Sequence, residues 1–416
     1  MTQNRTAPSR VIATETVYFP SMSLDIPRIQ QTLAAAHLDG WLLYDFRGSN
    51  AIAEGLVGLT GQHVTRRWYY FIPANGAPRK LNHAIEAHKL DALPGEQHLY
   101  AGRGRLVDGL KTILAGARTI AMEYSANCDI PYISRVDAGT IELIRSFGIT
   151  IVSSGDLVGQ FEAAWHDAEI ATHVTASEKL YRIKDRAFAF IQAKMQAGIL
   201  INEFVVQQEM MTFFAEEGLI TDHPPIVAAQ EKAGDPHYAP SRESSRAINP
   251  NELVLLDLWG KLPTPGAVYA DITWMGFTGD VVPHEFSKAF ATIAAGRDAA
   301  VNKVQSAVAA GQDIRGWEVD RVTRDVITEA GYGQYFVHRT GHSLGTEVHG
   351  NGVHMDDYET RDDRKLLPGT GFTIEPGIYT TSFGVRTEIN MVVGATQATV
   401  TGPCQSELVH ISGVKQ

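Results

Sequence analysis

Apolar residues recur at helical spacing over residues 26–37 (IPRIQQTLAAAH), and Gly40 ends the pattern. A short continuous apolar run, Trp41-Leu42-Leu43-Tyr44, comes next. The pair predicts a helix and then a strand. Residues 67–73 (RWYYFIP) predict a second strand, closed by the turn dipeptide Asn75-Gly76. Residues 119–122 predict a third. Residues 137–147 (DAGTIELIRSF) predict a helix stopped by Gly148, and residues 149–153 predict a fourth strand. Helices alternating with short apolar strands make a small α/β domain, expected over residues 1–157. Residues 1–20 are polar and irregular and predict a loose arm.

Residues 158–196 carry an Ala-rich helical pattern with charges on one side, which opens a second domain expected over residues 158–416. No Gly/Ser- or Pro-rich linker separates the two, which predicts a firm interface. The second half contains a repeat at an offset of 113 residues. Gly198 aligns with Gly311, Ile201 with Ile314, Val206 with Val319, Glu216 with Glu329 and Gly218 with Gly331, without a gap. Amphipathic helices also resemble one another by chance, so the alignment alone leaves that reading open. The alternative is two copies of one α/β unit facing each other across a pseudo-two-fold axis, with matching strands around a central site.

Acidic residues placed after each copy favour the second reading. Asp257 and Asp271 come after the first; Glu375 and Glu388 come after the second, at offsets of 118 and 117. Each acid sits in an apolar context: VLLDLWG, VYADITWMGF, FTIEPGIY and VRTEINMVV. A single such acid can lie on an edge strand facing water. Four at matched spacing are harder to place that way, because an ionised carboxylate in an apolar strand needs a partner or a metal. Four converging carboxylates repel one another and stay ionised together only with cations present. His342, between Gly341 and Gly345, offers an imidazole to the same set. Oxygen donors with one imidazole suit Mn²⁺, Co²⁺ or Zn²⁺ rather than a thiolate-loving metal.

Composition narrows the function class. The chain has 416 residues, with 36 Lys and Arg against 47 Asp and Glu, a formal net charge of −11. That balance argues against nucleic acid or an anionic membrane as partner. No apolar run reaches the roughly 20 residues that span a bilayer. The first residues lack the apolar core of a signal peptide. Two cysteines in unrelated contexts, Cys128 and Cys404, fit a reducing compartment, and a cytoplasmic location is expected.

The set Asp257, Asp271, His342, Glu375 and Glu388 resembles the ligand set of the pita-bread metallopeptidases. The surrounding strings LLDLWG…YADITW, TGHSLGTEVHG, TIEPGIY and GVRTEI also resemble that family. It comprises methionine aminopeptidase, aminopeptidase P, prolidase and the creatinase-like hydrolases. The likeness is strong over residues 195–408, and the small domain ahead of it fits the aminopeptidase P, prolidase and creatinase branch. The resemblance implies an α/β N-terminal domain and an α+β pita-bread catalytic domain with internal duplication. It implies two divalent metal ions, Mn²⁺ first and Co²⁺ or Zn²⁺ next, held by those five residues, with Asp271 and Glu388 bridging. A metal-activated water would attack the scissile carbonyl. Glu375 would also move protons, and His349 would steady the oxyanion. His237 would lie over the scissile bond, and His338 would face the substrate. Arg386 would support the bridging glutamate or a substrate carboxylate.

The implied activity is an exopeptidase cutting the N-terminal bond of short peptides, with proline after it, in a homodimer. A metal-dependent hydrolase of a small amide and an inactive binding module are the rival readings. The 14-residue spacing of the aspartates is longer than that of the branch, and Pro263-Thr264-Pro265-Gly266 reads as a hairpin insertion that moves neither ligand. His354, Asp356 and Asp357 form a polar cluster expected to be a solvated loop.

Overall fold

The computed structural model describes residues 24–411, so the expected N-terminal arm lies outside the described residues. The first domain contains α1 (Ile26–Ala35), β1 (Gly40–Asp45), α2 (Ala51–Val57), β2 (Trp68–Pro73), β3 (Arg79–His83) and β4 (Glu96–Tyr100). α3 (Arg103–Ile113), β5 (Thr119–Met122), α4 (Ala138–Arg145), β6 (Thr150–Ser153) and α5 (Gly155–Phe161) complete it. Its six strands form one mixed sheet in the order β4-β3-β2-β1-β5-β6. β1 and β2 read as continuous apolar runs because both faces of the sheet are covered. Trp41, Leu43, Tyr70 and Ile72 pack on one side with Ile29 and Leu33 of α1. Leu42, Tyr44, Tyr69 and Phe71 pack on the other with residues of α3 and α4. Trp68, Tyr69 and Tyr70 are therefore core side chains.

The helical pattern expected over residues 158–196 is broken in the structure. α5 ends at Phe161, and α6 (Asp167–Gln196) starts afresh behind a capping box between His166 and Glu169. Reciprocal bonds of this kind terminate a helix on its N-terminal side, which overrides the favourable Ala-rich composition. Leu157 and Val158 pack into the first domain's core, whereas Ala176 and the residues after it line the second domain's core.

The second domain continues with α7 (Glu203–Glu217), β7 (Ile226–Ala229), β8 (Leu253–Gly260), β9 (Ala270–Phe277), α8 (His284–Ala309) and α9 (Gly316–Glu329). Then come β10 (Gly371–Ile374), β11 (Gly377–Tyr379), β12 (Gly384–Arg386), β13 (Ile389–Val393), β14 (Ala398–Val400) and β15 (Val409–His410). The duplication is visible in these bounds. α6 and α8 end, and α7 and α9 begin, at the same 113-residue offset. Gly198, Gly218, Gly311 and Gly331 all take positive φ, so each copy turns into and out of its second helix on the same left-handed glycines. β8 and β9 pair antiparallel, and β10 and β13 repeat that pairing. The two pairs meet edge to edge, where the Glu388 N–H donates to the Thr273 carbonyl at 3.1 Å. The nine residues between β8 and β9 contain Pro263–Gly266, and the ladder closes in register on both sides of them.

Candidate metal centre

The β8–β9 register explains how two aspartates 14 residues apart come together. Asp257 lies opposite Thr273, and Trp259 lies opposite Asp271. Paired residues share a face and alternate residues return to it, so Asp257, Asp271 and Thr273 project from one side of the hairpin. In the second copy, Ile374 lies opposite Ile389, and Glu375 and Glu388 flank that pair where the ladder ends. His342 is brought in by an isolated bridge between Ser343 and Phe372, with the Thr373 N–H donating to the His342 carbonyl at 2.9 Å. A Cβ on Gly341 would stand 1.9 Å from the Thr373 carbonyl oxygen, so only glycine lets the His342 segment approach β10 this closely.

Asp271, His342 and Glu388 place one donor atom each within 4.8 Å of one another, and all three are buried. His342 Nε2 lies 3.6 Å from Asp271 Oδ2 and 3.5 Å from Glu375 Oε1. Its Nδ1 faces the Ser343 carbonyl at 3.1 Å, which can only accept, so the proton belongs on Nδ1 and the Nε2 lone pair faces the carboxylates. Asp271 Oδ1 and Glu388 Oε1 are buried without a hydrogen-bond partner. The His342 lone pair and the buried Asp271 and Glu388 carboxylates, each with one oxygen lacking a partner, form a donor set suited to a cation. The second carboxylate oxygen of Glu388 is fixed by Thr273 Oγ1 at 2.7 Å, and Asn390 accepts from the Asp271 N–H at 3.0 Å.

Asp257 joins this face through Arg386. The guanidinium pairs with Asp257 Oδ2 and donates to Thr273 Oγ1 at 3.1 Å, Pro236 O at 3.3 Å and Tyr379 Oη at 3.4 Å. Arg386 reaches Glu388 only at one remove, through Thr273, and its direct partner is Asp257. The Pro236 contact brings the exposed His237 to the edge of the site. His349, also exposed, stands edge-on to His342 with ring centroids 4.4 Å apart. His338 is half-buried. Its Nδ1 donates to the Arg339 carbonyl at 2.6 Å, which leaves Nε2 to accept from Tyr379 Oη at 2.7 Å. Burial pushes the His338 ring down to about 4, which fits that neutral tautomer.

The polar cluster expected to be solvated is buried. His354 and Asp356 are inaccessible. Asp356 caps a turn by accepting from the N–H groups of Tyr358, Glu359 and Thr360, and His354 Nδ1 accepts from the Ser343 N–H at 3.1 Å. These contacts engage Asp356 and one ring nitrogen of His354, while His354 Nε2 is buried without a hydrogen-bond partner. Thr273, Thr373 and Tyr379 lie inside the family-like strings and Asn390 directly after one, but none of them was singled out as a site residue. Only Thr273 had a signal, because it stands two positions after Asp271 on the same strand face.

Burial raises the Asp257 carboxyl to about 7, against the pull of Arg386 and with the push of Asp271 and Glu375. Burial also raises Asp271, and raises Glu388 well above its ordinary range with the neighbouring carboxylates adding to it. An acid whose folded pKa exceeds its unfolded value takes up a proton on folding, so stability falls as pH rises between the two values. Metal-free protein should therefore lose stability from about pH 4, where an unfolded carboxylate titrates, to about pH 7. Glu388→Gln should flatten part of that slope. Thermal melts of chelator-treated wild type and variant between pH 5 and 8 check this, and parallel slopes would contradict it.

The profile of metallopeptidase family M24 matches residues 176–395. The chain belongs to metallopeptidase family M24. The Xaa-Pro dipeptidase of Lactobacillus delbrueckii subsp. lactis is 32% identical over 205 residues, which is 49% of this chain and 51% of that enzyme. The match thus spans about half the length of that relative. The probable dipeptidase PepE of Mycobacterium bovis is 24% identical over 368 residues, 86% of this chain and 88% of its own. The crystal structure of dipeptidase PepE from Mycobacterium ulcerans superposes with a TM-score of 0.68 at 22% identity, covering 95% of this chain and 99% of that one. The fold is therefore the pita-bread catalytic domain behind an α/β N-terminal domain, the layout of the aminopeptidase P and prolidase branch. Family M24 implies divalent metal ions, and the buried carboxylate–imidazole cluster is where this metallopeptidase has donors for them. Among the described residues, no helix is long and apolar enough to cross a membrane.

Proposed function

We propose that this M24 metallopeptidase is an exopeptidase using two divalent metal ions to hydrolyse the N-terminal bond of short Xaa-Pro peptides. The observation that carries the metal reading is the buried Asp271–His342–Glu388 cluster, in which Asp271 Oδ1 and Glu388 Oε1 have no hydrogen-bond partner and the His342 Nε2 lone pair faces the carboxylates. Asp257, Asp271, His342, Glu375 and Glu388 would hold the ions, with Asp271 and Glu388 central because they belong to the tightest cluster. Mn²⁺ suits four carboxylates and one imidazole best. Bound metal supplies Lewis-acid polarisation and a water of lowered pKa.

The chain's own groups do the rest. Burial raises Glu375, but His342, His338 and Arg386 more than offset it, leaving the carboxylate below its ordinary value and ionised. Its side chain keeps 15% exposure and can therefore take a proton and return it to a leaving amine. His349 and His237, both at the open rim, would face the substrate; an N–H of His349 can meet the developing oxyanion. His338 has both ring nitrogens engaged and acts by fixing Tyr379 and, through it, Arg386. We place the domain junction in the break between α5 and α6, a few residues beyond the expected boundary. We also assign the protein to the cytoplasm as a homodimer; its two free cysteines suit a reducing compartment.

The substrate class is tested with a panel of Xaa-Pro dipeptides, Xaa-Pro tripeptides and capped or cyclic amides, each with Mn²⁺, Co²⁺ and Zn²⁺. Xaa-Pro bonds should be cleaved, fastest with Mn²⁺. Inert Xaa-Pro peptides beside a hydrolysed capped amide would shift the assignment to a small-amide hydrolase.

A further inference from the structure

The peptide bond that joins His342 to Ser343 is fixed at both ends. Its carbonyl accepts the Thr373 N–H of β10 at 2.9 Å, and its N–H donates to His354 Nδ1 at 3.1 Å. One residue on, the Ser343 carbonyl faces His342 Nδ1 at 3.1 Å and also accepts the Gly350 N–H at 2.8 Å. His354 therefore holds the residue whose carbonyl turns the His342 Nε2 lone pair toward Asp271 and Glu375. Backbone pairing does not supply this bond. Gly341 and Met355 form an isolated antiparallel bridge, so the ladder stops before Ser343. In a continued ladder the Ser343 N–H would meet the Val353 carbonyl, and the imidazole stands in its place.

His354 is itself held firmly. It is inaccessible to solvent, and its backbone N–H donates to Asp362 Oδ2 at 2.8 Å, where Asp362 is paired with Arg364. Its ring packs on Tyr132 of the first domain, with centroids 4.2 Å apart. Because Nδ1 accepts, the ring proton sits on Nε2, and that atom is buried without a hydrogen-bond partner. An unmet buried donor is destabilising, and an apolar side chain of similar size would avoid it. The one thing the imidazole adds over such a side chain is the Nδ1 acceptor.

The structure assigns His354 as a positioning residue for the metal ligand His342, acting through the Ser343 backbone. The assignment rests on the metal reading above, in which His342 is a ligand. Groups behind a ligating imidazole orient its ring and fix its tautomer, and losing one weakens metal binding. The Tyr132 ring against His354 makes the first domain part of that support.

Two measurements test it. Histidine ¹⁵N NMR of metal-free wild type should show His354 protonated on Nε2 alone. A proton on Nδ1 would overturn the bond to Ser343 and the role with it. Calorimetric titration with Mn²⁺ should then rank chelator-treated wild type, His354→Asn and His354→Leu. Leucine fills the space but removes the acceptor; asparagine is smaller but keeps an acceptor at the same place along the side chain. His354→Leu should bind Mn²⁺ about 10- to 100-fold more weakly, the range for losing a group that orients a ligand. His354→Asn should keep most of the affinity. A ring that only fills space under Tyr132 predicts the reverse order, with leucine at least as good as asparagine. That result would overturn the role and leave the metal reading standing. Wild type that binds no Mn²⁺ would overturn both. If neither variant folds, the NMR result on wild type decides.

Discussion

Glu375→Gln should fold normally and lose about 10³-fold or more of its turnover, within the range that a general acid–base group contributes. The substitution keeps the shape and removes the charge. The Glu375 N–H stays bonded to the Thr340 carbonyl, so the backbone that positions the residue does not depend on the carboxylate. The variant loses the negative group facing His342 Nε2 at 3.5 Å and the acceptor for a proton in the pocket. Because the nearby His342 and His338 rings and the Arg386 guanidinium hold Glu375 below its ordinary pKa, it is ionised across the working pH range, and no shift of assay pH should rescue the glutamine variant. Circular dichroism and thermal melts check the fold, and kcat on an Xaa-Pro substrate checks the chemistry. Turnover within tenfold of wild type would remove Glu375 from the mechanism.

Arg386→Ala should destabilise the metal-free protein by about 3–5 kcal/mol at pH 8, the range for breaking a buried ion pair on one side. Arg386 keeps only 5% of its surface accessible, and Asp257 keeps 7%. Without the guanidinium, Asp257 is an uncompensated carboxylate, Thr273 loses one of its two partners and Tyr379 loses its donor. The loss should shrink at pH 5. Asp257 titrates near 7 in the folded protein even with Arg386 present, so in the variant it takes up a proton and sheds the unpaired charge. Bound divalent metal should shrink the loss as well, by offering Asp257 another cation. Arg386→Lys should recover little, because a single ammonium cannot reach Asp257, Thr273, Pro236 and Tyr379 together. Urea unfolding of chelator-treated protein at both pH values measures this. A loss below about 1 kcal/mol at pH 8, or one equal at the two pH values, would contradict the role given to the pair.

The four acids were legible because strand alternation is a local rule. A carboxylate in VLLDLWG must point the same way as its alternate neighbours, and the repeat made two such pairs out of one. The ordering of the copies came from glycines whose positive φ leaves a mark in sequence. Groups reached only through tertiary contact left none. Tyr379 closes TIEPGIY, a string read for Glu375 alone, and its bonds to His338 and Arg386 join residues 41 and 7 positions away. The cluster His354–Asp357 looked solvated because its composition is polar. In the fold Asp356 and His354 Nδ1 accept backbone N–H groups and Asp357 pairs with Arg321, contacts that composition does not reveal. In the first domain, α2, α3, β3 and β4 escaped the pattern for a related reason. β4 is mostly exposed, and α3 contains two glycines within RGRLVDGLKTI, so neither shows clean periodicity.

The central claim is that the buried carboxylates and His342 exist to hold metal. Elemental analysis of protein reconstituted with Mn²⁺ and freed of excess ion tests it most directly. About two Mn²⁺ per chain should remain on wild type, and His342→Ala and Glu388→Gln should each retain fewer. Wild type that retains none would contradict the account.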